Sequence, residues 1–328
     1  MRISHRIICL MLVMVIVVAM LSGCGNHVEI GQCEALENIS FRDIPGVTEE
    51  EISAIDALLS SRDKFTYGAC LSSEAFKLSD GALAGFSKDF CALLSNLFEI
   101  DFVLELYDWD VLIDNLESGL LDFTGELTAT DERMKVYSMT LPIAERMLRI
   151  YTLTDTEIKI ETDVSGLKIG FLTGSITEES IRMKYHLSFS SVEVDNYEAA
   201  ARMIESGEID AFVEEAVSAP IFDEYDFIGS QIFFPMVYTP VSMTTANPEL
   251  APLIPVVSKY INAGGLDKLY ELYHNGDYEY AKHKLNMSFT DEETDVIEIS
   301  WRTRGTVLPN GGAEDFNTLS RYRFLRYV

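Results

Sequence analysis

Basic side chains, histidine and tryptophan are scarce in this chain. Lys and Arg together number 25 against 53 acidic residues, a formal net charge of −28 over 328 residues. A surface that acidic repels polyanions, which disfavours nucleic acid and anionic lipid headgroups as partners. The five histidines are scattered without an H-E-x-x-H pair and the five cysteines without C-x-x-C spacing, so the pattern supports neither a metal site nor another cofactor. No nucleophile, base and orienting group can be picked out together, which points away from covalent catalysis. The N-terminal apolar run, Ile7 to Leu21, has 15 residues and falls short of the roughly 17 to 25 needed to span a bilayer.

What is present begins with an export signal. Arg2 and Arg6 precede the apolar run and Ser22-Gly23-Cys24 follows it, the order of a cleavable leader. Leu21-Ser22-Gly23-Cys24 resembles the bacterial lipobox. The resemblance implies a signal peptide over 1–23 and lipid on Cys24, so the expected location is the extracytoplasmic face of the cell membrane. One acyl chain binds a bilayer only marginally, so stable anchoring needs more than one. An uncleaved signal anchor is the alternative. The remaining cysteines are Cys33, Cys70 and Cys91. They allow either one bridge, with Cys70 and Cys91 the favoured pair in an oxidising compartment, or three thiols.

Removing the leader leaves about 300 residues, more than one small domain needs, so two lobes are expected. Residues 24–60 are acidic, carry a helical stretch near Thr48 to Leu59, and read as a tether. Beyond them, strands at Phe65–Cys70, Phe102–Leu106 and Leu121–Thr124 alternate with helices whose apolar residues recur at helical spacing: Phe86, Phe90, Leu93, Leu94 and Leu97, then Trp109, Leu112, Ile113 and Leu116. The alternation resumes with strands at Leu167–Phe171, Val192–Val194 and Ile209–Val213 and helices after Thr177 and through Tyr197, Ala200, Ala201 and Ile204. Residues Pro248 to Leu285 read as helical with a break at Gly264-Gly265. The expected class is α/β, with mainly parallel sheets covered by helices on both faces.

Two segments echo each other. Asn115–Glu126 (NLESGLLDFTGE) and Met203–Glu214 (MIESGEIDAFVE) both run helix, Glu-Ser-Gly, strand, with an aspartate three residues after the glycine and a glutamate at the end. Ligands of open α/β sheets bind beyond the carboxyl ends of strands, which places Glu126, Glu214 and Glu215 beside an expected cleft.

The segments DGALAGFSKDFCALL and WDVLIDNLESGLLDFTGELTATDERMKVYSMTLPI, then GLKIGFLTGSITEESI and NYEAAARMIESGEIDAFVEEA, closely resemble the two lobes of the type II periplasmic solute-binding family of amino-acid ABC transporters. The likeness runs from about Phe65 to Leu285. It implies a two-lobed clamp: lobe one over 61–150 plus 238–290, lobe two over 151–237, and two crossing segments as the hinge. The phrases FTGELTATDER and PIAER are also similar to sensor modules of bacterial signalling receptors. Residues 291–328, acidic at Asp291–Glu293 and then arginine-bearing, form a C-terminal extension. Part of it, Thr306 to Phe324, faintly resembles the opening strand of a second module, as in a truncated receptor.

The resemblance also implies site residues. Arg133 would grip a ligand carboxylate, for which a planar guanidinium is suited. Thr128 and Thr130 would complete that anion site, Ser175 and Thr177 would face it from lobe two, Glu215 would hold an ammonium, and Phe76 would wall the pocket. Thr177 reads equally as an N-cap and Phe76 almost equally as core; Trp109 reads as core. Glu126 stands where many members have glycine or serine. Beside Glu215 it would favour a cationic ligand, unless it turns to solvent or pairs with Arg146. The expected function is capture of a small amino-acid-like solute by a monomer for an ABC permease or receptor. The competing reading from another class is a dehydratase-type enzyme on the same scaffold, with Glu126 or Glu215 as its acid or base.

Overall fold

The computed structural model describes residues 39–287 apart from 157, 159–163 and 186. The expected leader, Cys24, Cys33 and residues 291–328 lie outside the described residues.

In the first half, helix α1 (Glu49–Leu59) precedes strand β1 (Lys64–Cys70), the short pair β2 (Phe76–Lys77) and β3 (Leu83–Ala84), helix α2 (Phe86–Phe98), β4 (Asp101–Tyr107), helix α3 (Trp109–Ser118) and β5 (Phe123–Leu127). A long strand, β6 (Ser138–Leu153), leads into β7 (Lys168–Leu172), helix α4 (Thr177–Lys184), β8 (Ser190–Val194), helix α5 (Tyr197–Ser206) and β9 (Ala211–Glu215). A second long strand, β10 (Ile228–Thr245), returns to the first half, where helices α6 (Leu253–Tyr260) and α7 (Leu266–Met287) follow. Gly264, at φ 115°, breaks the helical run between α6 and α7, a conformation that a side chain resists.

The strands form one sheet in the order β4-β1-β5-β10-β6-β9-β7-β8. β4, β1 and β5 are parallel, as are β8, β7 and β9. Between these two units run β6 and β10, antiparallel to each other and to the strands beside them. They are the two crossing segments, 16 and 18 residues long. Their register slips at three points; in mid-course Phe233 lies opposite Leu148 but Tyr238 lies opposite Met147, so four residues of β10 intervene where β6 has none.

Apolar packing divides the molecule in the same way. Phe65, Tyr67, Phe90, Phe98, Phe102 and Phe123 form one core with Val241, Leu253, Val257 and Leu269. Leu148, Ile150, Ile169, Phe171, Ile181 and Phe233 belong to a second. A third cluster joins the halves, with Trp109, Leu112 and Leu127 against Tyr151, Leu172, Val194 and Phe212. The echoed segments do the same work in each half. Both helices end on a left-handed glycine, Gly119 at φ 76° and Gly207 at φ 73°. Asp122 Oδ2 then accepts from the Thr66 N–H at 2.9 Å, and Asp210 Oδ2 from the Lys168 N–H at 2.8 Å. Each aspartate thus pins the start of the parallel strand beside it.

Two expectations are corrected and one open alternative is answered. Residues 39–60 are not a tether: Phe41 and Ile55 are 0% exposed in the first core, and Glu51 accepts from Lys259 Nζ at 2.5 Å. The apolar residues of this stretch are few but fall on one side, so it packs despite its acidity. Its helix is fixed by a reciprocal cap in which Thr48 Oγ1 accepts from Glu51 N and the Glu51 carboxylate from Thr48 N. Strands β5 and β9 begin two residues later than expected because Asp122 and Asp210 occupy the preceding turns. Cys70 and Cys91 are both buried and free, with no bridge between them, and burial raises both thiol pKa values, that of Cys91 to about 12.

Because α1 belongs to the core, Ile55→Ala should cost about 2 to 5 kcal/mol in urea denaturation, the range for a truncated core isoleucine. An unchanged midpoint would return this helix to the status of a tether.

Candidate functional site

The carboxyl ends of β1, β5, β7 and β9 meet at the boundary between the halves, as ligand-binding α/β sheets require. Facing them is β6, on which Arg146, Leu148 and Ile150 share the buried phase of the strand. Arg146 is 3% exposed and spends every nitrogen on carboxylates. Its Nη1 donates to Glu126 Oε2 at 2.8 Å and to Glu215 Oε2 at 2.7 Å. Its Nε and Nη2 donate to Glu74, with Nη2 2.5 Å from Oε2. Glu74 lies in the turn after β1, Glu126 on β5, and Glu215 at the end of β9, opposite Leu148. Glu126 Oε1 also accepts from the Cys70 N–H at 3.2 Å, and Glu214 Oε1 from the Glu215 N–H at 3.0 Å.

One guanidinium therefore faces three carboxylates with a fourth beside them. Burial disfavours the charged form of Arg146, but Glu126, Glu74 and Glu215 hold it protonated well above its usual range. Burial pushes Glu214 up to about 8, helped by the Glu215 carboxylate. Burial likewise raises Glu215 to about 7 against the opposing pull of Arg146.

Arg133 sits further out, on the turn after β5. Its Nη1 donates to Thr128 O at 3.0 Å and its Nη2 to Gly174 O, in the other half, at 2.8 Å. Trp109 Nε1 crosses in the same way to Thr173 O at 3.0 Å, and the Ser73 N–H reaches Val217 O at 2.8 Å. Two cavities flank Arg133. The outer, of about 430 Å³, is lined by Trp109, Asp110, Asp114, Tyr137 and Asp195 among others. The inner is only about 20 Å³ and is bounded by Glu126, Arg146, Ser175, Thr177, Glu215 and Thr239. Ser175 Oγ, Glu214 Oε2 and Thr239 Oγ1, all on this inner cavity, are buried without a hydrogen-bond partner among the described residues.

The structure thus brings Glu126, Thr128, Arg133, Ser175, Thr177 and Glu215 together at the inner cavity. Thr130 contributes its hydroxyl to the turn, accepting from the Arg133 N–H at 3.2 Å. Thr177 is not an N-cap: Ile176 holds that position with no side-chain cap bond, and Thr177 is buried at the cavity instead. Phe76 does not wall the cleft. Its ring packs on Tyr280 and His283 of α7, 5.2 and 5.3 Å away between centroids, because the sequence continues into a long helix that covers it. Trp109 is buried as expected, and its indole N–H also links the halves. Glu126 and Glu215 are not free to hold a ligand cation, since Arg146 engages both.

Sequence reasoning gave Arg146 only as a possible partner for Glu126 and missed Glu74 altogether. A signal for the first existed: an arginine in phase with Leu148 and Ile150 on one face of a strand is a charge aimed inward. Among the described residues, no cluster of His, Cys, Asp and Glu could hold a metal ion, and no helix is long and apolar enough to cross a membrane.

The raised carboxyl pKa values have a signed consequence. Folded Glu214 and Glu215 bind protons more readily than the unfolded chain does. The stability this contributes is fully present below the ordinary carboxylate pKa and is lost as pH rises through about 7 to 8. The Tm should therefore fall between about pH 5.5 and 8.5, and Glu214→Gln should flatten that fall when both proteins are followed at constant ionic strength. Identical slopes would mean that Glu214 is ionised throughout.

No curated protein matches the chain in sequence. Solved structures share its fold. A periplasmic domain (VFT2) of BvgS from Bordetella pertussis aligns with a TM-score of 0.54 at 18% identity, covering 68% of this chain and 97% of that one. The amino acid ABC transporter substrate-binding protein AbpA of Streptococcus pneumoniae, solved with L-arginine, aligns at 0.52 and 18%, covering 68% and 98%. An ancestral arginine-binding protein solved with glutamine gives 0.51 and 23%, covering 65% and 98%. These likenesses establish a two-lobed clamp architecture. Residues 67–276 match one family over most of the described fold, and the chain belongs to the bacterial extracellular solute-binding proteins, family 3.

Proposed function

We propose that the chain is a lipid-anchored, extracytoplasmic module that closes its two lobes over an amino-acid-like solute and passes it to an ABC permease. The observation that carries this reading is the position of Arg133. Its guanidinium spans the boundary between the lobes, held among the described residues by two backbone carbonyls, and faces a cavity of about 430 Å³, large enough for a small ligand. A ligand carboxylate would exchange two neutral acceptors for a bidentate ionic pair. Asp110, Asp114 and Asp195 line the same cavity and suit the ammonium group of an amino acid. Solved proteins of this fold carry arginine or glutamine, which supports the same ligand class. Capture needs only a hinge whose closed form gains contacts from both lobes.

A second reading, the ligand-sensing module of a receptor, is favoured by a separate observation. Arg133 to Gly174 and Trp109 to Thr173 join the lobes through the chain's own groups, so lobe closure has an internal contribution that a reporter could use. An enzyme of the dehydratase type would have to seat a substrate against Glu126 or Glu215, where the cavity is about 20 Å³, enough for about one water molecule.

Thermal-shift screening of the protein against amino acids, polyamines and short peptides tests the binding reading. A true ligand at 100 times its Kd should add about 2.7 kcal/mol to stability. Calorimetry on Arg133→Ala should then show affinity for a carboxylate ligand reduced from about 30-fold to several thousandfold. A loss below about threefold would place the ligand carboxylate elsewhere.

A further inference from the structure

Three carboxylates from three separate segments converge on the Arg146 guanidinium: Glu74 from the turn after β1, Glu126 from β5 and Glu215 from the end of β9. A cup of carboxylates at strand ends between two lobes is the chemistry that would recognise a ligand's guanidinium or ammonium group. In this chain the cup holds one of its own side chains. We propose that Arg146 is a built-in occupant of the inner cation pocket: a tethered guanidinium that excludes external cations from Glu74, Glu126 and Glu215 and confines any ligand to the outer cavity beside Arg133. The inference rests on reading the cleft as a solute clamp and adds what decides its specificity.

Two features separate this from an ordinary buried ion pair. The first is stoichiometry. A buried arginine is neutralised by one carboxylate, yet three contact it, so the pocket supplies more acceptor groups than neutralising its occupant requires. The second is the polar lining. Ser175 Oγ, Glu214 Oε2 and Thr239 Oγ1 border the same cavity and make no hydrogen bond with any described residue. The walls thus offer more polar groups than Arg146 uses, as expected of a recognition pocket rather than a structural bridge. Arg133, the other arginine of the cleft, stands apart, held by carbonyls and facing the larger cavity.

If Arg146 is an occupant, removing its side chain leaves a receptor for the group it carried. Arg146→Ala should be strongly destabilised and should regain stability from methylguanidinium, a free copy of the lost side-chain end. At about 20 mM this cation should raise the Tm of the variant by about 3 °C or more. It should leave the wild type unchanged, and tetramethylammonium or sodium chloride at equal ionic strength should stabilise neither protein in this way. Agmatine, which adds a chain to the same group, should act at lower concentration. A gain in Arg146→Ala no larger than in the wild type, or an equal gain from tetramethylammonium, would overturn the proposal. If the variant does not fold unaided, the yield of soluble protein on refolding with methylguanidinium decides the matter. Recovery with that cation alone supports a pocket, and no recovery, when Arg146→Lys refolds normally, removes it. Because methylguanidinium reports on the inner cavity and carboxylate binding at Arg133 on the outer one, either reading can fail without the other.

Discussion

Everything about this cleft depends on a buried guanidinium. Arg146 lies on a strand that crosses between the lobes, and its partners come from the turn after β1, from β5 and from β9. Taking such charges out of water is costly, and the cost is offset only by good hydrogen-bonded pairing, as here, where each guanidinium nitrogen meets a carboxylate. The arrangement is unforgiving: deleting one member of a buried ionic set typically costs about 3 to 5 kcal/mol because the others are stranded. The side chain therefore fixes the relative placement of three strand ends, and with them the shape of the space between the lobes. It also explains why two glutamates that look poised for a ligand are already engaged.

The acidity of the chain acquires a local meaning beside this. Most carboxylates are on solvated faces, but the cleft repeats the imbalance at small scale. Glutamates cluster within, and Asp110, Asp114 and Asp195 surround the outer cavity. Arg133 is the cation on the wall of that outer space, so the geometry sorts ligand groups by sign: an anion inward of the rim and a cation toward the acidic edge. Raised pKa values at Glu214 and Glu215 are the other side of the same crowding, since buried carboxylates this close resist full ionisation.

Much of the fold was legible because it is repetitive. Helical spacing at Phe86 to Leu97, and the paired Glu-Ser-Gly segments with their aspartates, located both α/β units to within a few residues. What escaped was what does not repeat. Strands β6 and β10 carry Pro142, Arg146, Arg149 and Pro240, which blur any alternation, and their length comes from pairing with each other rather than from local preference. Helix α1 was legible as a helix, but its glutamates hid its packing into the core, where Ile55 anchors it. In the site, the residues beside recognisable strand ends, Glu126, Arg133 and Glu215, did come together. Glu74 did not announce itself, because a glutamate in a turn is ordinarily solvated and only the fold brings Arg146 to it. Phe76 misled for the opposite reason: an aromatic after the first strand is equally suited to the helix that packs on it.

One of the slips in the ladder between β6 and β10 lies beside the charged cluster. It falls between Met147 and Leu148, next to Arg146, where the two crossing strands do not pair in one continuous register. Glu215, paired opposite Leu148, sits beside that slip, and Leu172, just before the Thr173 and Gly174 carbonyls that accept from Trp109 and Arg133, lines the same inner cavity as Glu215. The contacts that join the two halves, from Arg133, Trp109 and Arg146, are thus gathered around one irregular stretch of the crossing strands rather than spread along them.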